Sequence, residues 1–178
     1  MIVYLSCDAQ NDFFVKIVSE LIDELNRSTD NVFELIYPSG NKGRDTGTVR
    51  GNVLQIQQAE LVIFDMTPNT DNGESYNAGV MIEYGIVLDL ETPLIGYPWG
   101  GNSPKPSYKV FCNSKFKRSK MTPIVNESSI LPYKDDGEGE KNLRIEIRKL
   151  LTDKLKEKSN YRAPVGIPSL TEGKFQPI

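Results

Sequence analysis

Glu83 stands where no polar residue is expected. It lies within Ala78-Gly79-Val80-Met81-Ile82-Glu83-Tyr84-Gly85-Ile86-Val87-Leu88, a stretch that is apolar on every side. Burying an unpaired carboxylate is costly, so this one must be paired, protonated or open to a cavity. A carboxylate in such a place is a candidate for acid–base work. The structural alternative is an ion pair with Arg44 or Arg50. Gly79 and Gly85 in the same stretch cost about 1 kcal/mol each relative to alanine in a helix. They make sense where backbone or a ligand approaches closely.

The rest of the composition narrows what Glu83 works with. The chain has no His, which removes Ser-His-Asp and Cys-His sites and His-ligated zinc. Acid–base chemistry is left to carboxylates, Tyr, Lys, Cys or bound groups. With 21 Lys+Arg against 24 Asp+Glu and a pI near 5.1, a basic face for a nucleic-acid backbone is not expected. Cys7 and Cys112 are the only cysteines, so no disulfide framework is indicated. No signal peptide is read at the start, and no apolar run reaches the ~18 residues of a membrane helix. A cytoplasmic protein is the default expectation.

The elements that must position Glu83 follow from periodicity. Ile2 to Leu5 reads as a buried strand. Asn11 and Asp12 offer N-caps to a helix whose apolar stripe is Phe14, Ile17, Val18, Leu21, Ile22 and Leu25. Val32 to Tyr37 is a second strand, stopped by Pro38-Ser39-Gly40, and a polar loop from Asn41 to Gly47 follows. Val49, Val53 and Ile56 mark a weaker helix, and Leu61 to Phe64 a third strand with Asp65 at its carboxyl end. After a turn-rich loop, Asn77 to Leu90 is the helix of Glu83, and Leu94 to Tyr97 reads as a fourth strand. This order predicts an α/β fold, a flavodoxin- or Rossmann-like parallel sheet with helices on both faces. Ligands of such sheets bind above the strand carboxyl ends, where the second turn of a helix places Glu83.

Beyond residue 97 the pattern weakens. Tyr108 to Cys112 and Ile130 to Tyr133 are short extended pieces. Lys115 to Lys120 reads as a solvated basic turn. Leu143, Ile147, Leu150, Leu151 and Leu155 form a final amphipathic helix, opened by the acidic Asp135–Glu140 segment. The expected organisation is one domain over 1–158 and an extended or flexible tail over 159–178.

Three segments then resemble the nucleoside 2-deoxyribosyltransferase-like superfamily, which includes the 2′-deoxynucleoside 5′-phosphate N-hydrolases. They are Gln57-Gln58-Ala59-Glu60-Leu61-Val62-Ile63-Phe64-Asp65-Met66-Thr67-Pro68, Asn77-Ala78-Gly79-Val80-Met81-Ile82-Glu83-Tyr84-Gly85, and Thr92-Pro93-Leu94-Ile95. Val3-Tyr4-Leu5-Ser6 is similar to that superfamily's first strand, and the resemblance covers about residues 2–97. It implies cleavage or transfer at the N-glycosidic bond of a (deoxy)nucleoside or nucleotide, with Glu83 as nucleophile and Tyr4 orienting it. Asn77 matches a position near the sugar 5′ group, and Asn52 one near the base; Gly79 belongs to the helix motif. Asp65 and Asp8 are candidates for sugar hydroxyls. No cofactor, metal, nucleic acid or membrane is implied. A homodimer or higher homo-oligomer is, with Asn102 or Asn113 as candidates to reach a neighbouring site.

Two departures bear on chemistry. Asn52 replaces an acid and has no carboxyl proton to give a leaving base. Cys7-Asp8 replaces Gly-Ser, and Asp8 repels a 5′-phosphate. Simpler roles stand beside these: Tyr4 as a core tyrosine, Asn77 as a helix N-cap, Asp65 as a turn cap, Asn52 as an ordinary exposed side chain. Three other readings compete. A TIR-like, NAD-cleaving or nucleotide-sensing domain fits Phe64-Asp65-Met66-Thr67 with Asn77, Glu83, Tyr84 and Gly85 nearly as well. A response-regulator receiver lacks its acidic pair, since only Asp8 follows the first strand. A non-catalytic binding module would keep the pocket without a proton donor.

Overall fold

The structure is a computed structural model. It describes residues 1–8, 11–29, 32–37, 49–68, 77–91, 106–116 and 130–160. The chain runs β1 (Ile2–Ser6), α1 (Asp12–Ser28), β2 (Glu34–Ile36), α2 (Val49–Gln58), β3 (Leu61–Asp65), α3 (Ala78–Glu91), β4 (Ser107–Asn113), β5 (Ile130–Tyr133) and α4 (Gly137–Asn160). The sheet is parallel throughout, in the order β2-β1-β3-β4-β5. The winding reverses at β1, between β2 and β3, which is where an open α/β sheet leaves a crevice above its carboxyl ends.

Alternation along each strand separates two cores. Val3, Leu5, Leu61, Ile63 and Phe111 face α1 and α4, meeting Phe14, Ile17, Leu21, Leu143, Ile147 and Leu151. Tyr4, Val62, Phe64 and Val110 face the other way, against Ile56 of α2 and Val80, Tyr84 and Val87 of α3. Both faces of the central strands are therefore covered, which is why β3 is apolar at every position up to Asp65. The α1 stripe read from the sequence is the buried one, and Asn11 is its N-cap, its side chain accepting from Phe14 N at 3.2 Å.

The strand beside β3 is Ser107–Asn113, paired from Leu61↔Ser107 to Asp65↔Phe111. The expected strand Leu94–Tyr97 lies outside the described residues, as do the Asn41–Gly47 loop and residues 161–178. The second strand is shorter than its apolar run, Glu34–Ile36 instead of Val32–Tyr37. Among the described residues no helix is long and apolar enough to cross a membrane.

On α3 the inward stripe is Val80, Glu83, Tyr84 and Val87, at three- and four-residue spacing. Glu83 thus occupies a core position of its helix. Tyr84 beside it meets Phe64 edge-to-face, ring centroids 5.3 Å apart, which fixes the rotation of α3 against β3. Gly85 is exposed, and a Cβ there would meet nothing within 4 Å. Gly139 differs, because its Cβ would lie 2.4 Å from the Lys134 carbonyl oxygen. Two substitutions should therefore part in sign. In urea unfolding, Gly85→Ala gains about 0.5–1 kcal/mol from helix propensity, and Gly139→Ala loses about 1–3 kcal/mol to the backbone clash.

Candidate functional site

Glu83 is 5% exposed, and its carboxylate is held by three side chains from two elements, β1 and α2. Tyr4 Oη donates to Oε1 at 2.9 Å. Asn52 Nδ2 donates to the same oxygen at 2.7 Å. Ser6 Oγ donates to Oε2 at 2.5 Å. Tyr4 and Ser6 are two apart on β1, so both point to the α2/α3 side. Asn52 comes from α2, which packs beside α3. Burial raises the Glu83 pKa; the bonds from Ser6, Tyr4 and Asn52 pull it back without cancelling the rise. Among the described residues no lysine or arginine is paired with it; the side chains of Arg44 and Arg50 lie outside them.

The expected roles divide as follows. Tyr4 is fully buried and on Glu83, with its own pKa raised by burial and then by the Glu83 charge. Asn52 also reaches Glu83, while among the described residues nothing donates to its buried Oδ1 or to Gln55 Oε1 one turn on. Asn77 caps α3, its Oδ1 accepting from Gly79 N at 2.8 Å and Val80 N at 3.3 Å. Its Nδ2 donates to Asp8 Oδ2 at 3.0 Å, which joins β1's end to the α3 N-terminus. Gly79 is explained by that cap, since a Cβ there would press on Asn77 Oδ1 at 3.0 Å. Asn113 is buried at the end of β4, its Oδ1 accepting from Lys115 N at 3.0 Å. Asn102 lies outside the described residues.

Asp65 heads a second cluster. Its Oδ1 accepts from Thr67 Oγ1 at 2.6 Å and Thr67 N at 3.2 Å. Its Oδ2 accepts from Asn11 Nδ2. Tyr133 Oη sits 3.3 and 3.2 Å from the two oxygens. Thr67 Oγ1 in turn accepts from Asn113 N at 3.0 Å. This network ties β3, β4, β5 and the start of α1 together. Desolvation by burial still pushes Asp65 up to about 6, against the bonds from Thr67, Asn11 and Tyr133. Cys7 lies within reach of Asp65, Asp8 and Glu83. Burial first, and then those three charges, push its thiol up to about 12, so it is neutral near pH 7. Among the described residues, neither Cys7 nor Cys112 forms a disulfide.

A shallow depression lies between the end of β3 and the first turns of α3, lined by Asp65, Met66, Thr67, Asn77, Val80 and Met81, and it encloses no space that a water molecule could fill. It is smaller than the about 300–1,000 Å³ of pockets that enclose a drug-sized ligand, and Glu83 is not on its wall. Among the described residues no group of three or more His, Cys, Asp or Glu can hold a metal ion. Sequence reasoning missed Ser6 and Tyr133. The signal for Ser6 was its two-residue spacing from Tyr4; nothing local to Tyr133 pointed to Asp65.

The Asp65 cluster gives a pH prediction. Its native carboxyl titrates about 6, above an ordinary 3.8, so between those values the native state holds more protons than the unfolded chain. The stabilisation is full below pH 4 and is lost as pH rises through 6. Asp65→Asn cannot ionise. Urea unfolding at pH 4 and pH 7 should show wild type losing about 2–3 kcal/mol relative to the variant.

No protein-family model matches the chain, and no curated protein matches it. The superfamily resemblance therefore rests on the residues themselves.

Proposed function

We propose that this chain breaks the N-glycosidic bond of a nucleoside through covalent attack by Glu83, passing the sugar to water or to a second base. The observation that carries the reading is the carboxylate of Glu83, buried on an apolar helix and held at both oxygens by Tyr4, Asn52 and Ser6. Neutral donors orient a carboxylate without discharging it, as a nucleophile beside an oxocarbenium-like centre requires. Its place at the winding reversal of a parallel sheet agrees with where such folds bind ligands.

In the first step a Glu83 oxygen bonds to C1′ and the C1′–N bond breaks. Its electron pair leaves with the base, which takes a proton from water, because the amide of Asn52, unlike a carboxylic acid, does not part with its protons. In the second step water or another base bonds to C1′ and gives its proton to the hydroxide left by the first step, the ester bond breaks and the carboxylate is regenerated. Asp8, held by Asn77 above β1, favours a substrate without a 5′-phosphate.

The test compares wild type with Glu83→Gln on the common ribo- and 2′-deoxyribonucleosides, their 5′-monophosphates and NAD, following free base or nicotinamide by chromatography. Release by wild type should fall at least about a thousand-fold in the variant. Equal release by both proteins would reject Glu83 as nucleophile. Turnover of NAD alone would assign the chain to the TIR-like reading. Thermal stabilisation by nucleosides without any release would make it a binding module.

A further inference from the structure

The two oxygens of Glu83 are not equivalent. Oε1 accepts from Tyr4 Oη at 2.9 Å and from Asn52 Nδ2 at 2.7 Å. Oε2 accepts from Ser6 Oγ, at 2.5 Å. Each oxygen of an ionised carboxyl offers about two acceptor sites. Oε1 has both filled, and Oε2 has one to spare among the described contacts. We propose that Oε2 is the oxygen that bonds to C1′, and that Ser6 is the positioning residue that aims it. The proposal rests on the nucleophile reading given above.

The chemistry is consistent with this division. Attack uses the spare lone pair of Oε2; the C1′–N bond breaks, its electron pair leaves with the base, and water supplies the base's proton. In the resulting ester Oε1 is the carbonyl oxygen, and its two donors stay useful there. Oε2 becomes the bridging oxygen, a poor acceptor, so the bond from Ser6 is the one surrendered as the ester forms. When the second nucleophile displaces the carboxylate, Tyr4 and Asn52 already face the returning charge.

Ser6 suits the task by its place. It is fully buried, so its hydroxyl meets Glu83 and not the substrate. It sits on β1, paired to Phe64 of β3, and so its Cβ is fixed by the sheet. A hydroxyl reaches only one bond beyond Cβ, leaving Oε2 little freedom to turn away. It is also first among the bonds that oppose the rise in the Glu83 pKa.

The test uses the full chain with Ser6→Ala, and Ser6→Thr to return the hydroxyl. Thermal unfolding establishes that each is folded. One readout needs no substrate: an NMR titration of the carboxyl carbons of glutamate-labelled protein. In Ser6→Ala the Glu83 midpoint should move upward, and in Ser6→Thr it should return toward wild type. The second readout is turnover of whichever nucleoside wild type cleaves. Losing the hydroxyl that aims Oε2 should lower kcat about 10- to 100-fold through misorientation, with KM changed less than about threefold. The acidic limb of the pH profile should move to higher pH, since a protonated Glu83 cannot attack. A merely space-filling serine would leave both the titration and the acidic limb where they are, and that result overturns the proposal. Turnover that dies in Glu83→Gln yet is untouched by Ser6→Ala overturns this proposal alone. Turnover indifferent to Glu83→Gln removes the nucleophile reading and this proposal with it, even if the titration shows the two residues coupled.

Discussion

The structure is organised around keeping one carboxylate in place on a stretch of helix, Ala78 to Leu88, that is otherwise uncharged. Glu83 takes a core position of α3, between Val80 and Tyr84 on one side and Val87 on the other. An acid there is tolerable only if donors arrive from outside the helix. They come from β1 and α2, and each source constrains the fold. Tyr4 and Ser6 must be two apart on a strand so that both face α3. The strand must be next to β3, because α3 follows β3 and covers it. In addition, α2 must cross on the same face to bring Asn52. The winding reversal at β1 satisfies all three conditions at once.

Charge around the site is handled with amides. Asp8, Asp65 and Glu83 all lie near enough to Cys7 to raise its pKa, so three carboxylates converge above β1 and β3. Each accepts from a different asparagine: Asp8 from Asn77, Asp65 from Asn11, Glu83 from Asn52. An amide fixes the direction of a carboxylate and leaves its negative charge intact; an arginine would cancel it. The resulting potential favours positive charge and opposes a phosphate. Two of the asparagines also cap helices, Asn11 for α1 and Asn77 for α3. The same side chains therefore start the helices and set the charges that those helices bring to the crevice.

What was legible in the sequence was whatever repeats with a period. The α1 stripe from Phe14 to Ile22, the apolar run of β3 and the final helix through Leu143, Ile147 and Leu151 each bury the face their spacing announces. Glu83 was legible for the opposite reason, as an acid that breaks an apolar pattern. Sheet order was less so. In the sequence, Leu94 to Tyr97 and Tyr108 to Cys112 both read as short extended runs, and periodicity does not say which one pairs with β3. Ser6 is a small polar residue at a strand end, with no hydropathy signal to mark it. The contact between Asp65 and Tyr133 joins positions 68 residues apart, and only the closure of β5 onto β4 brings them together.

The two most buried acids make the division of labour concrete. Both are pushed upward by burial, and both are opposed by neutral hydrogen bonds. Their donor counts differ. Asp65 meets Thr67 twice, Asn11 once and Tyr133 at both oxygens, so its acceptor sites are used up inside the protein. Those donors belong to β3, the α1 cap and β5, elements the sheet must hold together in any case. Such a carboxyl is a rivet. Glu83 meets three donors, two from β1 and one from α2, and among the described contacts retains an acceptor site on Oε2. Environment gives two like groups different tasks when it shares donors unequally. That inequality in donors is why we propose chemistry for Glu83 and cohesion for Asp65.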